Sequence, residues 1–98
     1  GWIWMDGEFV PWREAKTHVL THALHYGSSV FEGERMYGGE IFKLTEHSER
    51  LIRSAELLDF TLPWSVAEID AACKATCEKM GMEDAYVRPV AYLGPEQT

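Results

Sequence analysis

Two glycine-centred turns constrain this chain more than any other feature. Asp6-Gly7 and Gly38-Gly39 each stand between short runs of β-forming side chains. Such dipeptides close two-residue hairpins because both central residues must take a positive φ, which Asp and Gly tolerate. The first turn predicts strands over Trp2–Met5 and Glu8–Pro11, and the second joins a strand over residues 29–37 to one over 40–44. The sheet is therefore expected to be antiparallel. Between the hairpins, residues 12–27 show no clear period and hold His18, His22 and His25; they read as a loop with a short helical turn near 21–25.

Two amphipathic stretches follow. Thr45 is placed to cap a helix in which Leu51, Ala55 and Leu58 recur at helical spacing, while Glu46, Glu49 and Arg53 take other faces. Pro63 helps to end the connection after it. Ser65-Val66-Ala67-Glu68 is a capping box, in which two side chains satisfy backbone N–H groups left open at a helix start. Val66, Ile69, Cys73, Thr76 and Met80 give the second helix one apolar stripe, and Gly81 is its expected C-cap. Cys73 and Cys77, four residues apart on one helix, suit a disulfide poorly and read as small buried hydrophobes. Residues 85–94 form a last apolar strand, with Pro89 marking an edge or a bulge. The expectation is an α+β fold: an antiparallel sheet of about five strands with two helices packed on one face.

Composition narrows the function classes. Four Trp, four Tyr and four Phe within 46% apolar residues are too many for a disordered segment. A net charge of -7 disfavours nucleic acid, whose phosphates select a basic stripe. No run approaches the roughly 18–20 apolar residues of a bilayer span, and no basic-then-apolar leader opens the chain. A soluble cytoplasmic protein that binds neither nucleic acid nor membrane is expected. Pro95-Glu96-Gln97-Thr98 closes the sequence without a capping feature and reads as a truncated end.

Three groups invite chemistry. On a continuous helix His18, His22 and His25 would share one face, the count of a three-ligand zinc site; Gly27 ends the run at once and no Glu-bearing zinc signature accompanies it, so no metal is expected. Arg50 reads locally as a surface residue paired with Glu46 one turn away. Arg88, flanked by apolar residues in a strand, requires an anion or several acceptors if that strand is buried.

The string Thr21-His22-Ala23-Leu24-His25-Tyr26-Gly27-Ser28-Ser29-Val30-Phe31-Glu32-Gly33, then Arg35, closely resembles the small-domain motif of fold-type IV pyridoxal-phosphate (PLP) enzymes, specifically the branched-chain amino acid aminotransferases. Glu46-His47-Ser48-Glu49-Arg50-Leu51-Ile52-Arg53-Ser54-Ala55 resembles the family's next motif, Ala85-Tyr86-Val87-Arg88-Pro89 a third, and Ile3 to Val10 its first hairpin. The resemblance implies that residues 1–98 are the N-terminal small domain of a longer enzyme. The larger domain, with the catalytic Schiff-base lysine, would lie downstream; Lys16, Lys43, Lys74 and Lys79 do not match it. This portion alone is then not expected to transaminate.

By the same resemblance, Arg50 binds the coenzyme phosphate, a role suited to the paired planar donors of a guanidinium. Phe31 and Gly33 shape an apolar wall, Tyr86 and Arg88 face the substrate, and Arg88 receives the distal carboxylate of glutamate. Arg35 matches a pocket arginine, and Tyr26 a tyrosine that reaches a neighbouring subunit, implying a homodimer or higher homo-oligomer. Glu34 replaces an aliphatic residue of the pattern, where it could pair with Arg35 or alter the pocket's charge. The implied reaction moves the amino group of branched-chain L-amino acids to 2-oxoglutarate, giving 2-oxo acids and glutamate. Alternatives are a D-amino-acid aminotransferase or aminodeoxychorismate lyase of the same fold, or a non-catalytic dimerisation or metal-binding module.

Overall fold

Both glycine turns close hairpins in the computed structural model, which describes residues 1–95. Strand β1 (Trp2–Met5) pairs antiparallel with β2 (Glu8–Pro11) about Asp6 and Gly7, whose φ values are 51° and 91°. A 3-10 turn over Trp12–Glu14 and a short helix α1 (His22–Tyr26) follow, close to the expected helical turn. Gly27 ends α1 in the left-handed conformation, at φ 68°, where a side chain would be strained.

The strand expected over 29–37 is in fact two, β3 (Ser29–Phe31) and β4 (Glu34–Tyr37), and the second hairpin closes onto the short β5 (Glu40–Ile41). Helices α2 (Leu44–Leu57) and α3 (Val66–Met80) come next, then β6 (Ala85–Val87) and β7 (Val90–Tyr92) in place of one strand over 85–94. There is accordingly no single five-stranded sheet. β1-β2 and β3-β7 are two-stranded, and β5-β4-β6 is three-stranded.

Pro89 explains the division. Phe31 stands opposite Val90 and Glu34 opposite Val87, so one register continues through the break. The Glu32 N–H donates to the Pro89 carbonyl at 3.0 Å, but Pro89 has no N–H to return, and the ladder is interrupted on both strands at once. No residue is added on either strand, so the feature at Pro89 is a gap in the ladder rather than the bulge its sequence suggested, with a matching gap across from it at Glu32-Gly33.

Both helices cover one side of these strands. Leu44 and Leu51 of α2 meet Ile69 and Cys73 of α3, with Val30, Ile41 and Val87 packed against them. The buried stripe of α2 is Leu44, Ser48, Leu51 and Ala55; Leu58, expected on it, lies past the last turn and is exposed. Thr45 does not cap α2. The helix starts one residue earlier, at Leu44 after a left-handed Lys43, and the Thr45 hydroxyl donates instead to Asp70 of α3 at 2.7 Å, where Ser48 also donates at 2.5 Å. In α3 the capping box forms as read, with Ser65 Oγ accepting from the Glu68 N–H and Glu68 from the Ser65 N–H, and Gly81 closes the helix. Its buried stripe is Ile69, Cys73 and Cys77, both thiols are free, and Met80 is exposed. Among the described residues no helix is long and apolar enough to cross a membrane.

One core residue breaks the apolar pattern. Along β4 the side chains alternate, so Glu34 and Met36 point inward while Arg35 and Tyr37 point out. Glu34 therefore cannot pair with Arg35 and adds no charge to the outer face. It is fully buried, and neither carboxylate oxygen has a hydrogen-bond partner among the described residues. Loss of hydration pushes its carboxyl up to about 7, opposed by the charge of His47 and by the adjoining Cys73 thiol, with the charges of Glu32 and Asp70 adding smaller increments. Because the folded value exceeds the unfolded one, folding favours the protonated acid. Its stability is intact below the unfolded value near 4.5 and declines as pH rises through about 7. Glu34→Gln is expected to remove that decline, so that the difference between wild type and variant in denaturant unfolding shifts by about 2–3 kcal/mol between pH 4.5 and 8. A difference that stays constant with pH would contradict a buried, titrating Glu34.

Candidate functional site

The alternation that buries Glu32, Glu34 and Met36 turns Phe31, Gly33, Arg35 and Tyr37 outward without a change of phase across the break. The shared register sets Arg35 opposite Tyr86, and carries Gly33 opposite Arg88. Five of the residues singled out in the sequence, Phe31, Gly33, Arg35, Tyr86 and Arg88, therefore share one outward face. Their side chains interlock there. The Arg88 guanidinium lies over the Phe31 ring at 4.4 Å and over Tyr86 at 5.5 Å, and its Nη2 donates to the Tyr86 hydroxyl at 3.1 Å. Arg35 approaches the same Tyr86 ring at 5.4 Å from across the ladder.

Arg88 is thus exposed on a surface rather than held in a buried strand, and its cation is stabilised by aromatic faces and a phenolic oxygen. Two cations close to two rings, with no carboxylate paired to either among the described residues, make a surface suited to an anion on an aliphatic or aromatic body.

Arg50 lies on α2 and does not pair with Glu46, which instead faces Lys43 at 3.9 Å. Its guanidinium is forked onto Glu32: Nε donates to Oε2 at 2.8 Å and Nη2 to Oε1 at 2.7 Å. Oε1 also faces His47 Nδ1 at 2.7 Å. The hydrogen bond from Arg50 holds the Glu32 carboxyl below the usual range despite its burial, with His47 helping. The carboxylate is therefore an acceptor only, and His47 Nδ1 carries the proton between them. Glu32 is the functional candidate that motif reading passed over. A charged residue at an inward position of an alternating strand signals a buried partner, but Arg50 is 18 residues away in sequence and no local spacing reveals it.

Tyr26 sits apart from the cluster, on α1, with its ring 4.5 Å from that of His22 and its side chain largely exposed. The three clustered histidines do not converge. His18 Nδ1 accepts from the Leu20 N–H, His22 bonds Ser28 Oγ, and His25 Nε2 reaches the Val19 carbonyl at 2.8 Å. Among the described residues no set of three His, Cys, Asp or Glu side chains is arranged to hold a metal.

Gly33 is a spatial requirement rather than a conformational one, since its φ is not positive. A Cβ there would stand 2.5 Å from the Tyr86 hydroxyl oxygen. That oxygen is the far end of a half-exposed ring, so the ring would yield before the backbone does. Gly33→Ala is expected to swing Tyr86 off Arg88 at a folding cost of no more than about 1 kcal/mol. A crystal structure and a denaturation curve of the variant check this; Tyr86 unmoved, or a cost several times larger, would contradict it.

Comparison with known proteins places these residues in a family. A family model described as amino-transferase class IV matches residues 29–98. The probable branched-chain-amino-acid aminotransferase of Rickettsia bellii is 52% identical over 97% of this chain, and the branched-chain-amino-acid aminotransferase of Pseudomonas aeruginosa 48% identical over 98%. Each match takes in 33% of the relative, so the chain spans about a third of their length. Among solved structures, the T.th. branched-chain amino acid aminotransferase superposes with a TM-score of 0.94 at 46% identity, over 98% of this chain and 34% of that one. That enzyme has been solved with N-(5'-phosphopyridoxyl)-L-glutamate and with 4-methylvaleric acid. The Escherichia coli enzyme gives 0.91 at 42% identity, over 95% of this chain and 33% of that one. The extent of the family match and these similarities lead to one conclusion: the chain belongs to the class IV aminotransferases.

Proposed function

We propose that this chain is the N-terminal small domain of a PLP-dependent, cytoplasmic branched-chain amino acid aminotransferase that transfers the amino group of branched-chain L-amino acids to 2-oxoglutarate. The observation that carries the reading is the convergence of Phe31, Gly33, Arg35, Tyr86 and Arg88 on one outward face, on the strand whose Glu32 holds Arg50.

The residues present suit a phosphate-bearing coenzyme. Arg50 is fixed by its Nε and Nη2 edge, and its Nη1 has no partner among the described residues. An outward pair of N–H donors on an immobilised guanidinium is what a phosphoryl oxygen needs. When bound, PLP supplies the electron sink that lets an amino acid lose its Cα proton. This chain's residues would do the rest of the positioning. Arg50 anchors the phosphate. Phe31 and the Tyr86 ring give an aliphatic side chain an apolar wall, which Gly33 shapes by leaving room for the Tyr86 hydroxyl. Arg88, steadied by Phe31 and the Tyr86 hydroxyl, takes the distal carboxylate of glutamate or 2-oxoglutarate, with Arg35 adding positive potential from the other side of the ring. One pocket can thereby accept an apolar and an acidic substrate in turn. The two ligands solved with the T.th. enzyme, one an aliphatic acid and one bearing glutamate, support that double demand.

Proton transfer is assigned to a lysine of the larger domain. Within this chain, Lys43 faces Glu46 and Lys79 lies over the Trp2 ring at 4.1 Å. A homodimer is supported by Val19, Leu20, Leu24 and Tyr26, exposed apolar side chains gathered around α1.

The full-length protein assayed with leucine, D-alanine and aminodeoxychorismate is expected to convert leucine and 2-oxoglutarate to the 2-oxo acid and glutamate. Activity on D-alanine alone would overturn the assignment. Arg88→Met in that protein is expected to lower kcat/KM for 2-oxoglutarate roughly 100-fold, about 3 kcal/mol, and for the 2-oxo acid of leucine far less. Equal losses on the two would remove Arg88 from carboxylate recognition.

A further inference from the structure

We propose that Glu32 is a positioning residue, which holds the Arg50 guanidinium ready for the phosphate of the bound coenzyme, with His47 locking Glu32 in turn. The proposal rests on the phosphate role of Arg50 and goes beyond it by naming what makes that arginine competent. The geometry separates this contact from an ordinary surface ion pair. Elsewhere on and beside α2, Lys43 meets Glu46 at 3.9 Å and Arg53 meets Glu49 at 4.0 Å, each through one loose contact between exposed groups. The Glu32 side chain is 3% exposed while that of Arg50 is 61% exposed, and they meet through two short parallel bonds. A buried acceptor thus grips one edge of an otherwise exposed cation.

The carboxylate itself cannot rotate freely. His47 Nδ1 donates to Oε1, the oxygen that also accepts from Arg50 Nη2. Both pegs lie on α2, three residues apart, and the Glu32 backbone is fixed by its hydrogen bond to Pro89. An arginine left free on an exposed helix face would surrender side-chain entropy on gripping a ligand. Here that ordering is completed on folding, and binding need not repeat it. Opposed to this stands a plain electrostatic penalty, because Glu32 cancels part of the charge that Arg50 presents to an anion. The two effects have opposite signs, so an experiment separates them.

The test uses the intact enzyme, stripped of coenzyme and titrated with pyridoxal 5'-phosphate and with unphosphorylated pyridoxal, followed by visible absorbance. Glu32→Gln keeps the shape but cannot accept both arginine bonds. It is expected to weaken pyridoxal phosphate binding roughly 10- to 100-fold, by analogy with the loss when the partner orienting a metal-binding side chain is removed. Affinity for unphosphorylated pyridoxal should be unchanged, and the 31P resonance of the bound phosphate should move. Glu32→Asp, which keeps the charge, is expected to fall between the two. If Glu32→Gln does not fold, His47→Ala carries the test, with an expected loss of several-fold confined to the phosphorylated ligand. Unchanged or tighter binding of pyridoxal phosphate, or an equal loss for both ligands, would overturn the proposal. Arg50→Ala run alongside distinguishes the failures: if it too leaves phosphate affinity intact, the role of Arg50 is wrong, whereas a loss in Arg50→Ala alone refutes only the positioning by Glu32.

Discussion

A single antiparallel register, joining residues 29–36 to 85–92, decides which side chains this molecule hides and which it presents. Side chains in a strand alternate, so a slip of one residue would send Phe31, Gly33 and Arg35 inward beneath the helices and turn Glu32, Glu34 and Met36 to solvent. What pins the register is unequal demand on the two faces. The inner one is covered by α2 and α3, with Val30, Ile41 and Val87 among the residues packed on the Leu44, Leu51, Ile69 and Cys73 core. The outer one is left open and acquires the paired arginines and rings. Packing on one side thereby composes the aromatic and cationic surface on the other.

The inner face also carries two carboxylates two residues apart, and their fates differ for a physical reason. Glu32 reaches Arg50 and His47 and stays ionised, its carboxyl held low chiefly by the arginine hydrogen bond. Glu34, one pleat further along, finds no cation among the described residues and only the Cys73 thiol beside it, and is forced toward its neutral form by loss of water. The same burial pushes the adjoining Cys73 thiol up to about 12, with Glu34's charge adding to the effect, so neither cysteine on α3 is disposed to act as a nucleophile. Charge is retained where it orients an arginine and suppressed where nothing answers it.

Much of this was legible in the chain itself. The Asp6-Gly7 and Gly38-Gly39 turns, the Ser65-Glu68 capping box, the Gly81 cap and the helical period at Leu51 and Ala55 are local signals, and each corresponds to an observed element. The sheet was less legible because strand continuity is a non-local property. Pro89 interrupts its own strand visibly, but its effect on the partner strand at Glu32-Gly33 appears only once the register is known. Thr45 illustrates the same limit: a capping residue by type, it is claimed instead by Asp70 from another helix. At the site, family motifs gathered Phe31, Gly33, Arg35, Tyr86 and Arg88 as a set, and strand geometry supplies the reason they meet. The Glu32–Arg50 fork had no such signature, since its partners come from different elements.

The central claim is that the edge of Arg50 left free by Glu32 is the anchor for the coenzyme phosphate. A crystal structure of the intact enzyme with PLP and a glutamate analogue tests it most directly. The account predicts Arg50 Nη1 within about 3 Å of a phosphoryl oxygen, its inner edge still on Glu32, and Arg88 against the analogue's distal carboxylate. An Arg50 side chain extended into bulk water, away from the coenzyme, would contradict it.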